Sequence, residues 1–285
     1  MSRTLILQSY RAPNVEPWIA RCMKSVEVWA GKTGFDYRLT GDEVFALCGD
    51  DYLARAGGNM RTITNLCRLE MVRAAHQEGY DWAVGMDADI FVFDPDRFRI
   101  EGVERYAFVG ESWIELQAPG TWGGLHNVNN SVFVCRAGEP DLDFLIHATR
   151  HVAMSRTIVD NFQVGRNLVN GLRKSLAYET LNNVGMFSNL VVLALARDVP
   201  ELLQFQADIH GYPVFAANLC GSENYVPPVS EGEAQVAMDR LETSRGTVIN
   251  SWLSQKPIPV MDRWVHLQTP DIEAALIARQ PRGAT

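Results

Sequence analysis

The sequence predicts an α/β fold, with a mixed, mainly parallel β-sheet flanked by helices. Short apolar segments alternate with segments of helical periodicity over residues 4–86, and this alternation is typical of a parallel sheet. The chain has 285 residues and a hydrophobic content of 47%, enough for a sizeable core. Because no internal repeat or low-complexity tract interrupts it, we expect one continuous domain.

The individual elements follow from local patterns. Helical spacing of apolar residues defines the helices, and Gly31 and Gly79 end the first two of them. The predicted strands are 4–8, 35–39, 80–86, 105–110, 129–135 and 247–252, and the predicted helices are 14–31, 60–78, 140–153 and 186–197. Two stretches rich in glycine and proline, 111–128 and 218–232, are predicted to be loops over a site.

Charge and cysteine content exclude some classes of function. A formal net charge of −8 argues against binding nucleic acid through a basic surface. Five scattered cysteines without a CxxC pair suit reduced thiols better than a zinc site or a disulfide framework. No apolar run is long enough for a signal-peptide core or a membrane span. We therefore expect a cytoplasmic protein, with peripheral membrane attachment as the alternative.

Two carboxylates interrupt the most apolar part of the chain. Asp87 and Asp89 separate the run 82–86 from the run 90–93. At the carboxyl end of a strand both side chains would point to one side, with Ala88 on the other. Because close carboxylates repel each other, a divalent cation such as Mg²⁺ or Mn²⁺ is the expected compensation. The alternative to a metal site is a solvated Asp-rich turn after the strand. Gly85 is predicted to allow close approach of a ligand or of another backbone segment.

The segment YDWAVGMDADIFVFDP, residues 80–95, resembles the DxD segment of GT-A glycosyltransferases, above all the glycogenin-like and the yeast-type galactosyl/mannosyltransferase families. The resemblance implies a GT-A type, Rossmann-like fold in which Mn²⁺ or Mg²⁺ holds the diphosphate of a nucleotide sugar. By this resemblance Asp89 is a metal ligand, and Asp87 contacts the metal or the donor ribose. It further implies a nucleotide-binding half over about 1–110, an acceptor-binding half over about 111–270 and a tail over 271–285.

Two further segments extend the resemblance. NNSVFVCRAG, residues 129–138, is similar to the strand that helps to hold the donor and acceptor sugars, which implies contacts from Asn129 and Asn130. NSWLSQKP, residues 250–257, is similar to the HxxGxxKP segment of glycogenin-like enzymes. The similarity implies that Lys256 binds the diphosphate. It also implies that Asn250, in place of the family's histidine, is the third metal ligand through its carbonyl oxygen. His210 and His266 are alternative third ligands.

Side chains near other strand ends are candidates for binding the donor. Ser9, Tyr10 and Arg11 end the first strand at the expected nucleotide edge, where Tyr10 could stack on a base and Arg11 could contact phosphate. Arg61, near the start of the helix before the DxD segment, is a second candidate for the donor phosphate. Arg68, on the same helix, is expected to be a solvated helix charge.

The candidates for catalysis lie later in the chain. Glu111 could be the general base that a hydroxyl nucleophile requires, with a surface carboxylate as the alternative. Asn189 falls near the position where related retaining enzymes carry a polar residue under the donor sugar. Trp113 and Trp122 could provide flat apolar surfaces for a sugar ring, or could cap the core.

These patterns predict a metal-dependent glycosyltransferase that moves a sugar from a UDP- or GDP-sugar to a hydroxyl of a carbohydrate or glycoconjugate acceptor. The family resemblance favours retention of configuration. A non-catalytic nucleotide-sugar binding protein is one alternative. A sugar-nucleotide pyrophosphorylase is another, although SYRAPNVEP, residues 9–17, lacks the glycine-rich loop expected after the first strand. A phosphatase that uses the DxD pair is the third.

Overall fold

The computed structural model describes residues 2–11, 13–118, 121–155, 163–220, 227–254 and 265–268. The strands are β1 (Thr4–Ser9), β2 (Asp36–Thr40), β3 (Trp82–Met86), β4 (Ile90–Val92), β5 (Tyr106–Ala118), β6 (Thr121–Arg136), β7 (Glu179–Leu181), β8 (Val184–Met186), β9 (Ala216–Asn218) and β10 (Val265–Gln268). The α-helices are α1 (Pro17–Thr33), α2 (Asp50–Ala56), α3 (Met60–Gln77), α4 (Pro140–Ser155), α5 (Arg166–Leu172), α6 (Asn189–Arg197), α7 (Pro200–His210), α8 (Glu231–Thr243) and α9 (Thr247–Asn250). A 3₁₀ helix, Asp42–Cys48, precedes α2.

The large sheet confirms the predicted fold class. Its strands lie in the order β2-β1-β3-β6-β5-β7, and β10 pairs with β6. The pairs β2/β1, β1/β3 and β5/β7 are parallel, whereas β6 is antiparallel to β3, to β5 and to β10. Along the described path, therefore, only β6 runs against the common direction. The sheet is mixed, mainly parallel and flanked by helices.

Alternation along the central strands sends apolar side chains to both faces of this sheet. Leu5 and Leu7 of β1 pack into a core with α3 and α4. Ile6, between them, packs into a second core with Val26 and Trp29 of α1. These three side chains are all buried. Because both faces are covered by helices, the strand is an uninterrupted apolar run, as the sequence predicted.

A second, three-stranded sheet begins directly after the DxD segment. Its order is β4-β9-β8, with β4 and β9 antiparallel and β9 and β8 parallel. Phe91 and Phe93 pack into a third core that contains α6, α7 and α8. The DxD segment is thus the short connection by which the chain leaves the large sheet and enters the small one.

The predicted loop at 111–128 is wrong, because most of this stretch belongs to β5 and β6. The two strands pair from Tyr106 to Ala118 and form a long ribbon that continues beyond the carboxyl ends of β3 and β7. The glycines serve packing here. A Cβ atom on Gly124 would lie 3.0 Å from the Ile209 side chain of α7, so the glycine lets this helix pack closely against the ribbon. Of the second predicted loop, 218–232, residues 221–226 lie outside the described residues.

The strand predicted at 247–252 is also wrong. Residues Thr247–Asn250 form α9, a single helical turn that follows Gly246. Gly246 has a φ of 77°, and its carbonyl oxygen accepts hydrogen bonds from the amides of Ile249 and Asn250. The left-handed glycine therefore starts a turn that the β-branched residues alone would not favour. None of the described helices is long and apolar enough to cross a membrane.

Candidate functional site

The two carboxylates lie at the switch point of the large sheet. From β1 the chain passes to β2 on one side and then returns to β3 on the other side of β1. Open α/β sheets bind ligands at the carboxyl ends of the strands that flank such a point. Asp87 directly follows β3, and Tyr10 follows β1 after Ser9. The topology therefore brings the DxD segment and the end of β1 to the same edge.

The segment from Asp87 to Asp89 is a turn, and not the extended chain that the sequence predicted. The amide of Ile90 donates to the Asp87 carbonyl oxygen at 3.2 Å, and the amide of Asp87 donates to the Ser131 carbonyl oxygen at 2.8 Å. Ala88 is buried against α1, while both acidic side chains are partly exposed. Asp87 and Asp89 therefore lie on the opposite side from Ala88, as expected, because the turn directs the two carboxylates outward and the Ala88 methyl group inward.

Arg68 pairs directly with Asp87, which corrects the expectation of a solvated helix charge. Its guanidinium contacts the Asp87 carboxylate, and its Nη1 donates to the Asn130 carbonyl oxygen at 2.7 Å. The Arg68 side chain is 11% exposed and that of Asp87 is 34% exposed. Burial lowers the pKa of Arg68 to about 10, and the negative charge of Asp89 acts in the opposite direction. Arg68 is therefore a cation at neutral pH and compensates part of the carboxylate charge.

Gly85 makes room for this arginine. A Cβ atom at position 85 would lie 2.5 Å from Cγ and 3.1 Å from Cδ of Arg68. The sequence predicted a close approach at Gly85, and the group that approaches is the Arg68 side chain. Absence of a side chain in β3 thus lets an arginine of α3 cross the strand and reach its carboxyl end.

Asp89 is held by β9. Its Oδ1 accepts a hydrogen bond from Asn218 Nδ2 at 2.7 Å, and its carbonyl oxygen accepts from the Leu219 amide at 3.1 Å. Asn218 is 4% exposed, and its Oδ1 accepts from the Cys220 amide at 2.8 Å. Sequence reasoning missed Asn218. The available signal was a single amide in the otherwise apolar run 214–220.

A second buried amide supports the turn from β1. Gln8 is fully buried, and its Nε2 donates to the Asp87 carbonyl oxygen at 2.8 Å. Its Oε1 accepts from the Tyr37 hydroxyl at 3.0 Å. Gln8 was also missed, although it is the one polar residue between Leu5 and Ser9. Ser9, the predicted donor ligand, ends β1 opposite Thr40.

Tyr10 and Arg11 share a carboxylate partner at this edge. The Tyr10 hydroxyl donates to Glu16 at 2.6 Å, and Arg11 donates to the other Glu16 oxygen at 2.7 Å. Burial, followed by the hydrogen bond to Glu16, raises the pKa of Tyr10 to about 12. Tyr10 packs against the apolar group that contains Ala88. The tyrosine ring is therefore positioned beside the DxD turn, and Arg11 remains exposed.

The two asparagines of β6 have different partners beside the turn. Asn130 Nδ2 donates to Asn65 Oδ1 of α3 at 2.7 Å. Asn129 Oδ1 accepts from the Ser131 amide at 2.8 Å. Arg61 lies in the first turn of α3, partly exposed, seven residues before Arg68 and on the same side of the helix. Asn130 thus joins β6 to α3 next to the carboxyl end of β3.

Glu111 is a buried ion-pair partner, and not the solvent-facing base that the sequence suggested. It is 1% exposed, its Oε1 accepts from Asn129 Nδ2 at 2.8 Å, and its Oε2 lies 3.3 Å from Arg166 Nη1. Burial raises its pKa, and the charge of Arg166 opposes the rise. Because both oxygens have partners and solvent is excluded, this conformation does not present the carboxylate to a substrate hydroxyl.

Asn250 does not approach the carboxylates, and this corrects its prediction as third metal ligand. Its Nδ2 donates to the Val214 carbonyl oxygen at 2.8 Å, and its Oδ1 accepts from the Val214 amide at 2.9 Å. Phe215, which follows Val214, accepts hydrogen bonds from the amides of Phe93 and Asp94, at the end of β4 that is remote from Asp89. Both polar groups of Asn250 thus hold the backbone at the opposite end of the small sheet.

The remaining candidates lie in three different places. Asn189 is buried at the start of α6, and its amide donates to the Pro227 carbonyl oxygen. His210 is buried, with its Nδ1 at 3.2 Å from Ser112 Oγ and its Nε2 at 2.7 Å from the Asn182 carbonyl oxygen. Burial lowers its pKa to about 4. His266 lies in β10, and Lys256 lies outside the described residues.

Few protein ligands are available for a cation. In the part of the chain that the structure describes, no three His, Cys, Asp or Glu side chains form a group that could hold a metal ion. The acidic pair Asp87 and Asp89 therefore stands without a third such side chain there. Asp87 already has Arg68 as a partner, and Asp89 has Asn218.

Comparison with solved structures finds a number of matching chains. A solved structure described as "a glycosyltransferase involved in the glycosylation of the major capsid of PBCV-1" matches with 12% sequence identity and a TM-score of 0.48. The alignment covers 83% of this chain and 98% of that chain. No protein-family model and no curated protein matches the sequence. A similarity of this size does not establish a shared activity, so the function rests on the residues of the site.

We expect substitution of Gly85 by alanine to destabilise the protein. The added methyl group would overlap the Arg68 side chain, and such overpacking costs about 1–3 kcal/mol in the free energy of unfolding. Urea titration of the wild type and the variant would measure this cost. Gly31→Ala in α1 is the matched control, because no atom lies within 4 Å of its added Cβ. Equal losses in the two variants would contradict the close packing of Arg68 on β3.

The buried position of Glu111 predicts a pH dependence. Its pKa is raised in the folded state, so its contribution to stability is present at low pH and is lost as the pH rises through the folded pKa. Glu111→Gln removes the ionisation, while Arg166, 24% exposed, keeps access to water. We therefore expect the unfolding free energy of the variant to improve relative to wild type between pH 4 and pH 7. A difference that is constant or falls over this range would contradict the raised pKa.

Proposed function

We propose that the protein is a metal-dependent glycosyltransferase that uses a nucleoside-diphosphate sugar as donor. The observation that carries the proposal is the outward pair Asp87 and Asp89 at the carboxyl edge of β3, beside the switch point of the sheet. At this edge a diphosphate could approach the carboxylates through a shared cation. The family resemblance of residues 80–95 supports the same reaction class and favours retention of configuration.

The residues of the turn fit a hard divalent cation. Mg²⁺ and Mn²⁺ are commonly held by one or two protein carboxylates, with water and substrate phosphates completing the coordination. Asp89 and Asp87 would hold the cation, and the described part of the chain supplies no third acidic or histidine ligand. When bound, the cation would neutralise the negative charge that develops on the leaving diphosphate.

Residues around the turn would bind and orient the donor. Tyr10, beside Ala88, offers an aromatic face for a UDP or GDP base, and the exposed Arg11 offers a cation for phosphate. Arg68, held between Asp87 and Asn130, would keep the Asp87 carboxylate oriented. Lys256 and Arg61 remain predicted phosphate ligands. Asn189 remains a predicted contact under the donor sugar.

The acceptor would bind along the ribbon of β5 and β6. This ribbon continues beyond the carboxyl edge of the sheet, where the donor sugar would emerge from the turn. Asn129 and Asn130 lie on β6 next to Ser131, whose carbonyl oxygen binds the Asp87 amide. The proposed acceptor is a carbohydrate or glycoconjugate hydroxyl, since loops and ribbons on a rigid sheet commonly carry such specificity.

We expect Asp89→Asn to lower donor turnover with Mn²⁺ by about 100-fold or more, since loss of the cation removes about 3 kcal/mol of barrier lowering. The measurement is release of UDP or GDP from a panel of nucleotide sugars, with and without Mn²⁺. Asp143→Asn is the matched control, because the same change falls on a carboxylate of α4 that is 79% exposed.

Assays of turnover and of nucleotide-sugar synthesis, together with calorimetry of UDP and GDP binding, separate the alternatives. Equal turnover by the Asp89→Asn variant and the wild type would reject the metal role of this residue. Metal-dependent nucleotide binding without turnover on any donor would favour the non-catalytic binding protein. Formation of a nucleotide sugar from a sugar phosphate and a nucleoside triphosphate would favour the pyrophosphorylase.

Arg68→Met tests how the carboxylates are compensated. Removing the guanidinium leaves Asp87 beside Asp89 without its cation, so we expect a lower melting temperature in the absence of metal. Mn²⁺ should raise the melting temperature of this variant more than that of the wild type, because the metal then replaces the missing charge. Arg68→Lys is the control that keeps the charge. An Arg68→Met variant that does not respond to Mn²⁺ would contradict a cation site at the turn.

A further inference from the structure

Two buried cysteines lie in contact behind the site. Cys48 ends the 3₁₀ helix, and Cys67 lies in α3 immediately before Arg68. Their sulfur atoms are 2.6 Å apart, although the residues are separated by 19 positions in the chain. Cys48 Sγ also lies 3.7 Å from the carbonyl oxygen of Ile63, one turn earlier in α3. The Cys48 side chain is therefore held against the same face of the helix that carries Cys67.

The surroundings distinguish the two thiols. The contact between the two thiols lowers the pKa of Cys48 and raises that of Cys67, and the nearby charge of Arg150 also lowers the pKa of Cys48. Arg150 Nη1 donates to the Cys48 carbonyl oxygen at 2.9 Å. Leu47, the preceding residue, is 40% exposed, so this end of the 3₁₀ helix lies near the surface. Both thiols are buried, and Cys48 is the one that is more readily ionised.

We propose that Cys48 and Cys67 form a reversible intramolecular disulfide when the protein meets a small two-electron oxidant such as hydrogen peroxide. The contact between the two sulfur atoms carries this inference, since bond formation requires only a small further approach. The proposal does not depend on the function proposed above.

The chemistry balances with the peroxide alone. The Cys48 thiolate attacks one peroxide oxygen and breaks the O–O bond, which gives a sulfenic acid at Cys48 and a hydroxide ion that takes up a proton. The sulfur of Cys67 then attacks the Cys48 sulfur, loses its proton and displaces the second oxygen as water. Two thiols are oxidised by two electrons in total, and one peroxide becomes two molecules of water. A dithiol reductant reduces the disulfide and restores both thiols.

Thiol counting and peptide mapping test the proposal on the whole chain. After treatment with peroxide, the denatured protein should show three free thiols in place of the five that the sequence contains, and dithiothreitol should restore five. Trypsin should yield the peptide 39–55 joined to the peptide 62–68, lighter by two hydrogen atoms than their sum. Closure of this loop should raise the melting temperature by about 5 °C.

Variants separate this pair from general oxidation. Cys67→Ala should abolish the joined peptides, whereas Cys135→Ala, a change at another buried cysteine, should retain them. The wild-type measurement does not require any variant to fold. Five thiols that persist under oxidant, or a bond that joins any other two cysteines, would overturn the proposal. So would a sulfinic acid at Cys48 in peptides that are never joined.

Discussion

A guanidinium held against the carboxyl end of β3 is the interaction on which the candidate site depends. Arg68 crosses the strand over Gly85 and pairs with Asp87, and its second donor reaches the backbone of β6 at Asn130. Loss of one partner from a buried pair typically costs 3–5 kcal/mol, and partial exposure of Asp87 places this pair below that range. Its main consequence is geometric, because the arginine determines where the carboxylate of Asp87 can lie. The helix, the central strand and the turn are therefore fixed to one another through a single side chain.

Hydrogen bonds from three strands hold the rest of the turn. Gln8 of β1 binds the Asp87 carbonyl oxygen, the Ser131 carbonyl oxygen of β6 binds the Asp87 amide, and Asn218 of β9 binds the Asp89 carboxylate. Gln8 and Asn218 are buried amide side chains, and the protein would lose stability if their hydrogen bonds were not made. Because the strands belong to both sheets, the turn also joins the two sheets. A ligand at the carboxylates would thus contact a part of the molecule with little freedom to relax.

The sequence predicted what local patterns determine and failed where distant contacts decide. The alternation of strands and helices up to β3 follows from periodicity alone. The outward carboxylates with Ala88 between them are produced by a turn, and not by the extended chain that the sequence predicted. The ribbon at 111–128 could not be recognised from the sequence, because glycines such as Gly124 are typical of loops. Here Gly124 makes room for α7, a contact that only the folded structure shows. The helical turn at 247–250 depends on the left-handed Gly246. Arg68 read as solvent-exposed because its partner, Asp87, lies 19 positions further along the chain and meets it only in the folded sheet.

Charge balance at the turn has a consequence for the proposed reaction. With Arg68 paired to Asp87, the two carboxylates retain one uncompensated negative charge, so the turn has a weaker demand for a divalent cation than an isolated acidic pair. Binding of the cation alone would leave an excess positive charge, which a diphosphate neutralises. Metal and nucleotide should therefore bind more tightly together than either binds alone, and the coupling is reciprocal because it is a free energy shared by the two ligands. In the proposed reaction the arginine would limit binding of the free metal and favour the complex of metal and nucleotide.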